Sequence, residues 1–152
     1  MAKAIYFDMD GTLANLYGVE NWLEKLREYN ATPYKEAEVM LNMQALAHRL
    51  NKLQEKGYTI GIISWLSKDT TPEYNAAVTA EKLAWLEKHL TSVKWDEVSI
   101  VAYGKRKSKI AKVKDGYIFD DNPNVRREWI KNNPNGWAFD VDNILGVLDM
   151  MM

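Results

Sequence analysis

The chain has 152 residues, 47% of them hydrophobic and 27% charged, with 20 Lys plus Arg against 21 Asp plus Glu for a net charge of -1. This is ordinary globular composition, which argues against a disordered chain, and the length predicts one domain over 1–152 with no second lobe. Near-neutrality argues against a nucleic-acid or anionic-membrane partner, and the absence of cysteine removes disulfides, zinc thiolates and cysteine nucleophiles.

No apolar run approaches the ~18 to 20 residues of a membrane helix. The N-terminal "MAKAIYFDMDG" carries too short an apolar stretch for a secretory leader, so a cytoplasmic location is expected. In chain order, the first strand is predicted at "KAIYF" (3–7). About thirty residues follow without strand character, with an amphipathic piece (Val19, Trp22, Leu23, Leu26) and a turn at Asn30 to Pro33. That is more than a crossover needs and predicts a small helical insertion at about 15–40. Met43, Leu46, Ala47, Leu50 and Leu53 then recur at helical spacing, with Gly57 where a C-terminal cap belongs. A strand is expected at "YTIGIIS" (58–64). A helix follows with Pro72 in its first turn and Ala76, Thr79, Leu83, Leu86 and Leu90 on its apolar face. "EVSIVAY" (97–103), "GYIF" (116–119) and "GWAF" (136–139) read as further strands, with "PNVRREWIKNN" a helix between the last two. Strands alternating with helices imply right-handed βαβ units and a three-layer α/β/α Rossmann-like fold around a central parallel sheet.

This order delivers polar groups to one edge of that sheet. Asp8 and Asp10 follow the first strand, Ser64 the second, "GKRKSKIAK" the third, and Asp120 with Asp121 the fourth. Four neighbouring carboxylates repel, and a hard divalent cation with oxygen ligands, Mg²⁺ foremost, is the plain way to hold them ionised. A hydroxyl and a lysine beside such a metal suit the remaining oxygens of a phosphoryl group.

The motif "DMDGT" (8–12) resembles the Asp-x-Asp-x-Thr signature of haloacid dehalogenase (HAD) superfamily phosphatases, with Ser64 matching the second motif and "FDDNP" the fourth. At ordinary residue frequencies the Asp-x-Asp-Gly-Thr core arises by chance in roughly one chain of this length in a thousand. The resemblance spans residues 4 to about 141. It implies Mg²⁺-dependent hydrolysis of a phosphomonoester through an aspartyl-phosphate, with Asp8 the nucleophile and Asp10 the general acid and base. The metal would be held by the Asp8 carboxylate, the Asp10 backbone carbonyl and Asp120, with Asp121 a ligand or hydrogen-bonding neighbour. The Met9 amide, Ser64 and Trp65 would face the phosphate, while Gly11 permits the turn and Thr12 orders the loop. Lys105, Lys107 and Lys109 all fall in the third-motif segment. The family's spacing favours Lys109, with Lys107 the alternative and the other basic residues a solvated face.

The insertion occupies the position of the superfamily's type 1 cap. Its Tyr17, Trp22, Tyr29 and Tyr34 are expected first as the insertion's own core, and alternatively as a surface on which a nucleobase stacks. A narrower resemblance, "EKLAWLEKHL" before "KDGYIFDDNP", is to the 5'(3')-deoxyribonucleotidase branch, although Trp65 stands where that branch has a small hydroxyl residue and the insertion is shorter. It implies a small-molecule nucleoside monophosphate as substrate. A polynucleotide 3'-phosphate, a sugar phosphate and a HAD-fold binding module without turnover are the alternatives, and intact Asp8 and Asp10 argue against the last. His48 and His89 fall on helices and are expected at the surface. "GKRKSK" lacks P-loop spacing.

Overall fold

A strand buried on both faces reads as an unbroken apolar run, and "AIYF" forms the centre of the sheet with no residue exposed. The computed structural model describes residues 3–152; Met1 and Ala2, part of the stretch read for a leader, lie outside the described residues. After β1 (Ala4–Phe7) comes a short antiparallel pair, β2 (Ala14–Asn15) and β3 (Glu38–Val39), which encloses a 3-10 turn (Leu16–Gly18) and two short helices, α1 (Trp22–Arg27) and α2 (Thr32–Glu36). The chain continues through α3 (Met43–Glu55), β4 (Thr59–Trp65), α4 (Pro72–His89), β5 (Glu97–Val101) and α5 (Lys107–Ile110). It ends with β6 (Tyr117–Phe119), α6 (Pro123–Asn132), β7 (Trp137–Phe139) and α7 (Ile144–Met151).

All five long-range strands run parallel, in the order β5-β4-β1-β6-β7. The chain steps outward from β1 to β4 to β5, then returns across the sheet to β6 and β7. Because parallel crossovers are right-handed, this reversal puts α3 and α4 on one face and α5 and α6 on the other. Side-chain alternation follows the same division. Ile5, Phe7, Ile60, Ile62 and Phe119 pack with Leu46, Leu50 and Leu53 of α3, Trp85 and Leu86 of α4, and Ile144 and Leu148 of α7. Ala4, Tyr6, Ile63, Ile118 and Ala138 pack against Ala111 and Trp129 on the opposite face. The α/β architecture is thus the one expected, and the reversal point between β1 and β6 opens a crevice at their carboxyl ends.

The helix boundaries have local causes. Asn42 and Thr71 cap α3 and α4 by accepting from the amides of Ala45 (2.9 Å) and Tyr74 (3.2 Å). Pro72 supplies the first turn of α4, and Gly57 closes α3 at φ +97°. The predicted face of α4 is corrected in part: Leu86 and Leu90 are buried as expected. Ala76 and Leu83 point to solvent and Thr79 is half-buried; the packed stripe is Tyr74, Val78, Lys82, Trp85 and Leu86. A lysine in mid-stripe interrupts the apolar periodicity, so hydrophobic spacing alone finds Leu86 and Leu90 but misplaces the face before them.

The stretch between β2 and β3 is tied to the body of the fold by Leu16, Tyr34, Tyr74 and Val78, which form a cluster of their own. The Tyr34 hydroxyl lies 2.6 Å from Ser67 Oγ, and the Tyr74 hydroxyl donates to the Asn30 carbonyl at 3.1 Å. Of the aromatics expected as its core, Tyr34 alone is buried; Tyr17 and Tyr29 are exposed and Trp22 half-buried. No helix among the described residues is long and apolar enough to cross a membrane.

Candidate active site

The backbone after β1 makes the first half of the site. The Asp8 amide still pairs with the Phe119 carbonyl (3.0 Å), after which the chain reverses around one acceptor. The Met9 carbonyl takes the amides of Thr12 (3.1 Å), Leu13 (2.9 Å) and Ala14 (2.9 Å). The Met9 and Asp10 amides donate to none of the described residues. Gly11 adopts φ +82°, and a Cβ there would overlap the Asp121 carboxylate and lie 2.9 Å from Tyr17 Cε2. Glycine is therefore required on both conformational and steric grounds. The Thr12 hydroxyl donates to Asp8 Oδ2 at 3.2 Å and lies 3.5 Å from Asp121 Oδ1, which links the turn to the end of β6.

Asp120 and Asp121 come from that end. The Asp120 amide pairs with the Phe139 carbonyl at 3.1 Å, its Oδ1 accepts from the Asn122 amide at 2.9 Å, and Arg126 holds its carbonyl at 2.9 Å. Asp8, Asp120 and Asp121 consequently offer carboxylate oxygens that all lie within 4.8 Å of one another. The Asp10 carboxylate is not among them.

The cation in this cluster is Lys107, which is 2% exposed, with Nζ 3.0 Å from Asp8 Oδ1 and 2.8 Å from Asp120 Oδ2. This corrects the preference for Lys109. Two residues along a helix of 3.6 residues per turn point to opposite sides, so once α5 begins at Lys107 with that side chain inward, Lys109 faces solvent, as do Lys105 and Arg106. The start of α5 is fixed from outside: the Ser108 amide donates to Glu128 at 3.2 Å and its hydroxyl bonds the same carboxylate, on α6.

A second ion pair lies beside the first and was not foreseen. Lys82 of α4, 1% exposed, places Nζ 3.0 Å from Asp10 Oδ2, 2.7 Å from Ser64 Oγ and 2.8 Å from the Trp65 carbonyl. The available signal was the charge itself: a lysine centred on a helix face with Val78 and Trp85 needs an acidic partner inside the fold. Ser64 is fully buried at the end of β4. Trp65 contributes its carbonyl to Lys82, its Nε1 to the Lys105 carbonyl (2.8 Å), and its ring to a pair with Tyr103, centroids 5.1 Å apart.

Electrostatics follow from this crowding. Burial and the Asp8 charge push Asp120 up to about 6, and burial, the Asp8 charge and contact with Asp8 push Asp121 up to about 7. Burial raises Asp10 as well, opposed by Lys82. Burial would lower Lys107, but the Asp8 and Asp120 carboxylates outweigh it and the ammonium is held above its ordinary value. Three carboxylates face one ammonium. This all-oxygen, net-negative donor set fits a hard divalent cation.

Above these groups is a cleft of about 490 Å³, floored by Asp8, Asp10 and Asp120 and walled by Tyr17, Trp22 and Trp65. Tyr17 and Trp22 meet edge to face at 5.0 Å. His48 is exposed, and His89 is half-buried against Trp85, away from the cleft.

No protein-family model matches the sequence, and no curated protein matches it. Solved structures do. A D,D-heptose 1,7-bisphosphate phosphatase from Burkholderia thailandensis aligns over 98% of this chain and 97% of its own, with TM-score 0.58 and 10% identity. The corresponding enzyme from B. bronchiseptica, complexed with magnesium and phosphate, aligns over the same shares with TM-score 0.56 and 10% identity. A HAD family enzyme from Bacteroides thetaiotaomicron gives TM-score 0.55 and 12% identity over 91% of this chain and 93% of its own. The likeness is one of fold: this chain shares the α/β fold of these three enzymes.

Proposed function

We propose that the protein is a Mg²⁺-dependent phosphomonoesterase acting through an aspartyl-phosphate on Asp8, with a nucleoside monophosphate as the favoured substrate. The observation that carries the reading is the arrangement around Asp8. One carboxylate is held by Lys107 at 3.0 Å and Thr12 at 3.2 Å, within 4.8 Å of two further carboxylates, on the floor of an open cleft. Asp8, Asp120 and Asp121 would hold the cation, and the Asp10 carbonyl is a further oxygen available to it. When bound, Mg²⁺ neutralises carboxylate and phosphate charge that would otherwise oppose their approach.

Asp8 attacks phosphorus as the bond to the leaving alkoxy oxygen breaks, and Asp10 gives that oxygen a proton. A water then attacks the phosphoryl group and yields its proton to Asp10, freeing Asp8 and inorganic phosphate. Lys107 holds the Asp8 carboxylate in one orientation and offsets charge on the transferring group. The unpaired Met9 and Asp10 amides are suited to phosphate oxygens.

The preference for a nucleotide rests on the walls. Trp65, Tyr103, Tyr17 and Trp22 line the cleft, and stacking on such rings suits a base. A sugar phosphate is the competing substrate, by analogy with the heptose bisphosphate phosphatases that share the fold. The deciding experiment is a panel of nucleoside 5'- and 3'-monophosphates and sugar phosphates with Mg²⁺, run on wild type and Asp8→Asn. Turnover led by nucleotides and reduced to background in Asp8→Asn is expected. Hydrolysis that survives Asp8→Asn removes Asp8 as nucleophile, and turnover led by sugar phosphates removes the nucleotide preference.

A further inference from the structure

Lys82 has no part in the reaction just outlined, yet it is among the most buried groups beside the cleft. An ammonium there is strongly unfavourable unless fully paired. The fold pairs it completely. Its three acceptors, Asp10 Oδ2, Ser64 Oγ and the Trp65 carbonyl at 2.7 to 3.0 Å, match the three N–H donors of an ammonium. The Tyr34 ring covers it, with the centroid 5.2 Å from Nζ. No donor is left over for a substrate, so whatever Lys82 contributes passes through its partners.

Two consequences follow from the direction of those hydrogen bonds. Asp10 is anchored by Oδ2, while Oδ1 accepts no hydrogen bond from the described residues. Ser64 Oγ accepts from Lys82, so the hydroxyl's own proton remains to be donated elsewhere. The anchor also draws the Asp10 carboxylate toward the end of β4, apart from the cluster of Asp8, Asp120 and Asp121.

We propose that Lys82 is a positioning residue for proton transfer: it clamps Oδ2 of Asp10 to Ser64 and the Trp65 carbonyl, leaving Oδ1 as the one oxygen that exchanges a proton with the leaving group. This rests on the phosphatase reading above. In the step it serves, the P–O bond breaks, its electron pair stays on the departing oxygen, and the proton on Asp10 Oδ1 moves to that oxygen as Asp8 bonds to phosphorus. The aromatic roof has a part as well. Tyr34 belongs to α2, so the stretch between β2 and β3 seals the clamp from water through its ring and its contact with Ser67.

The test compares two leaving groups. p-Nitrophenolate departs without a proton, whereas the alkoxide of benzyl phosphate requires one. In Lys82→Met, kcat/KM with Mg²⁺ is expected to fall about 100-fold for benzyl phosphate, the lower range of general acid catalysis, and by less than about tenfold for p-nitrophenyl phosphate. Lys82→Gln, which keeps an uncharged donor, is expected to recover part of that ratio. A merely structural role lowers both substrates by one factor, since it changes only the fraction of working enzyme. Equal losses, or no loss, in a wild-type-active protein overturn the assignment of Lys82 and leave the phosphatase reading standing. A wild type inactive on both substrates overturns the two together. If Lys82→Met yields no folded protein, the substrate ratio of Lys82→Gln decides by the same criterion.

Discussion

Replacing Lys107 and Lys109 separately by methionine tests the charge arrangement directly. Lys107 Nζ sits between Asp8 Oδ1 (3.0 Å) and Asp120 Oδ2 (2.8 Å), with Asp121 adjoining. A pair of unit charges 4 Å apart is worth about 4 kcal/mol at an effective dielectric of 20, but desolvation of the buried ammonium opposes most of the gain. The larger effect is what the deletion leaves behind. Removing one partner of a buried pair typically destabilises by about 3 to 5 kcal/mol, because uncompensated charge remains inside. In metal-free protein at pH 8, Lys107→Met should therefore lower the urea midpoint by about 1 to 3 M, taking 3 kcal/mol and a slope of about 1 to 3 kcal/mol/M. At pH 5 the loss should be smaller, since Asp120 and Asp121, raised to about 6 and about 7, take up protons and relieve the repulsion. Lys109 is exposed, and Lys109→Met should stay within about 0.5 kcal/mol at either pH. Urea titration followed by tryptophan fluorescence, with EDTA present, reads both variants. Equal midpoints for the two, or a larger fall in Lys109→Met, would refute the placement of α5 and the role given to Lys107.

Three further outcomes are expected. Because the folded-state values of Asp120 and Asp121 lie above the ordinary 3.8, the metal-free folded protein holds protons that the unfolded chain has released, so these groups make stability fall as pH rises from about 4 to about 7. Thermal melts in EDTA should show this decline reduced in Asp121→Asn; an unchanged pH dependence in that variant removes the assignment. At pH 8, Mg²⁺ at ten times its Kd should add about 1.4 kcal/mol, or about 3 to 6 °C, and the same concentration should add less at pH 5, where protons compete and raise the Kd. Gly11→Ala should be destabilised by at least about 1 kcal/mol, since φ +82° strains any L side chain and the new Cβ meets Asp121 and Tyr17. A Gly11→Ala protein with wild-type melting temperature and unaltered Mg²⁺ stabilisation would show that the turn relaxes.

The strands were legible because burial leaves a local mark. β1, β4 and β6 are covered on both faces and appear as short unbroken apolar runs, so their predicted limits stand within a residue or two of the observed ones. The aspartates were legible for a similar reason, since Asp8 and Asp10 share one turn and Asp120 and Asp121 terminate one strand. Information held in tertiary packing was not. Whether Lys107 or Lys109 points inward depends on the starting phase of a four-residue helix, and that phase is set by Glu128 some twenty residues later. The inward face of α4 was legible only at Leu86 and Leu90, because Lys82 looks like a surface residue until Asp10 is placed opposite it. The aromatics of the stretch between β2 and β3 divide into buried Tyr34 and exposed Tyr17 and Tyr29 through contacts with Ser67 and Tyr74, which no local pattern encodes.

The two lysines together explain how a strand can end on "DMD" without the aspartates defeating each other. Asp8 and Asp10 are separated by one residue, and if both carboxylates entered one cluster, four acids would face one ammonium. The turn around the Met9 carbonyl separates them instead. Asp8 joins Asp120, Asp121 and Lys107 under the end of β6, while Asp10 goes to Lys82 and Ser64 at the end of β4. Each carboxylate has its own cation, delivered by helices on opposite faces of the sheet: α4 supplies Lys82 and α5 supplies Lys107. The reversal in strand order that places those helices on opposite sides is the same feature that opens the crevice between β1 and β6. A nucleophile that must stay ionised and an acid that must carry a proton have opposite electrostatic requirements, and the turn meets both within three residues of chain. Asp8 sits in a net-negative cluster suited to a cation, while Asp10 lies apart, where burial favours its protonated form against the pull of Lys82.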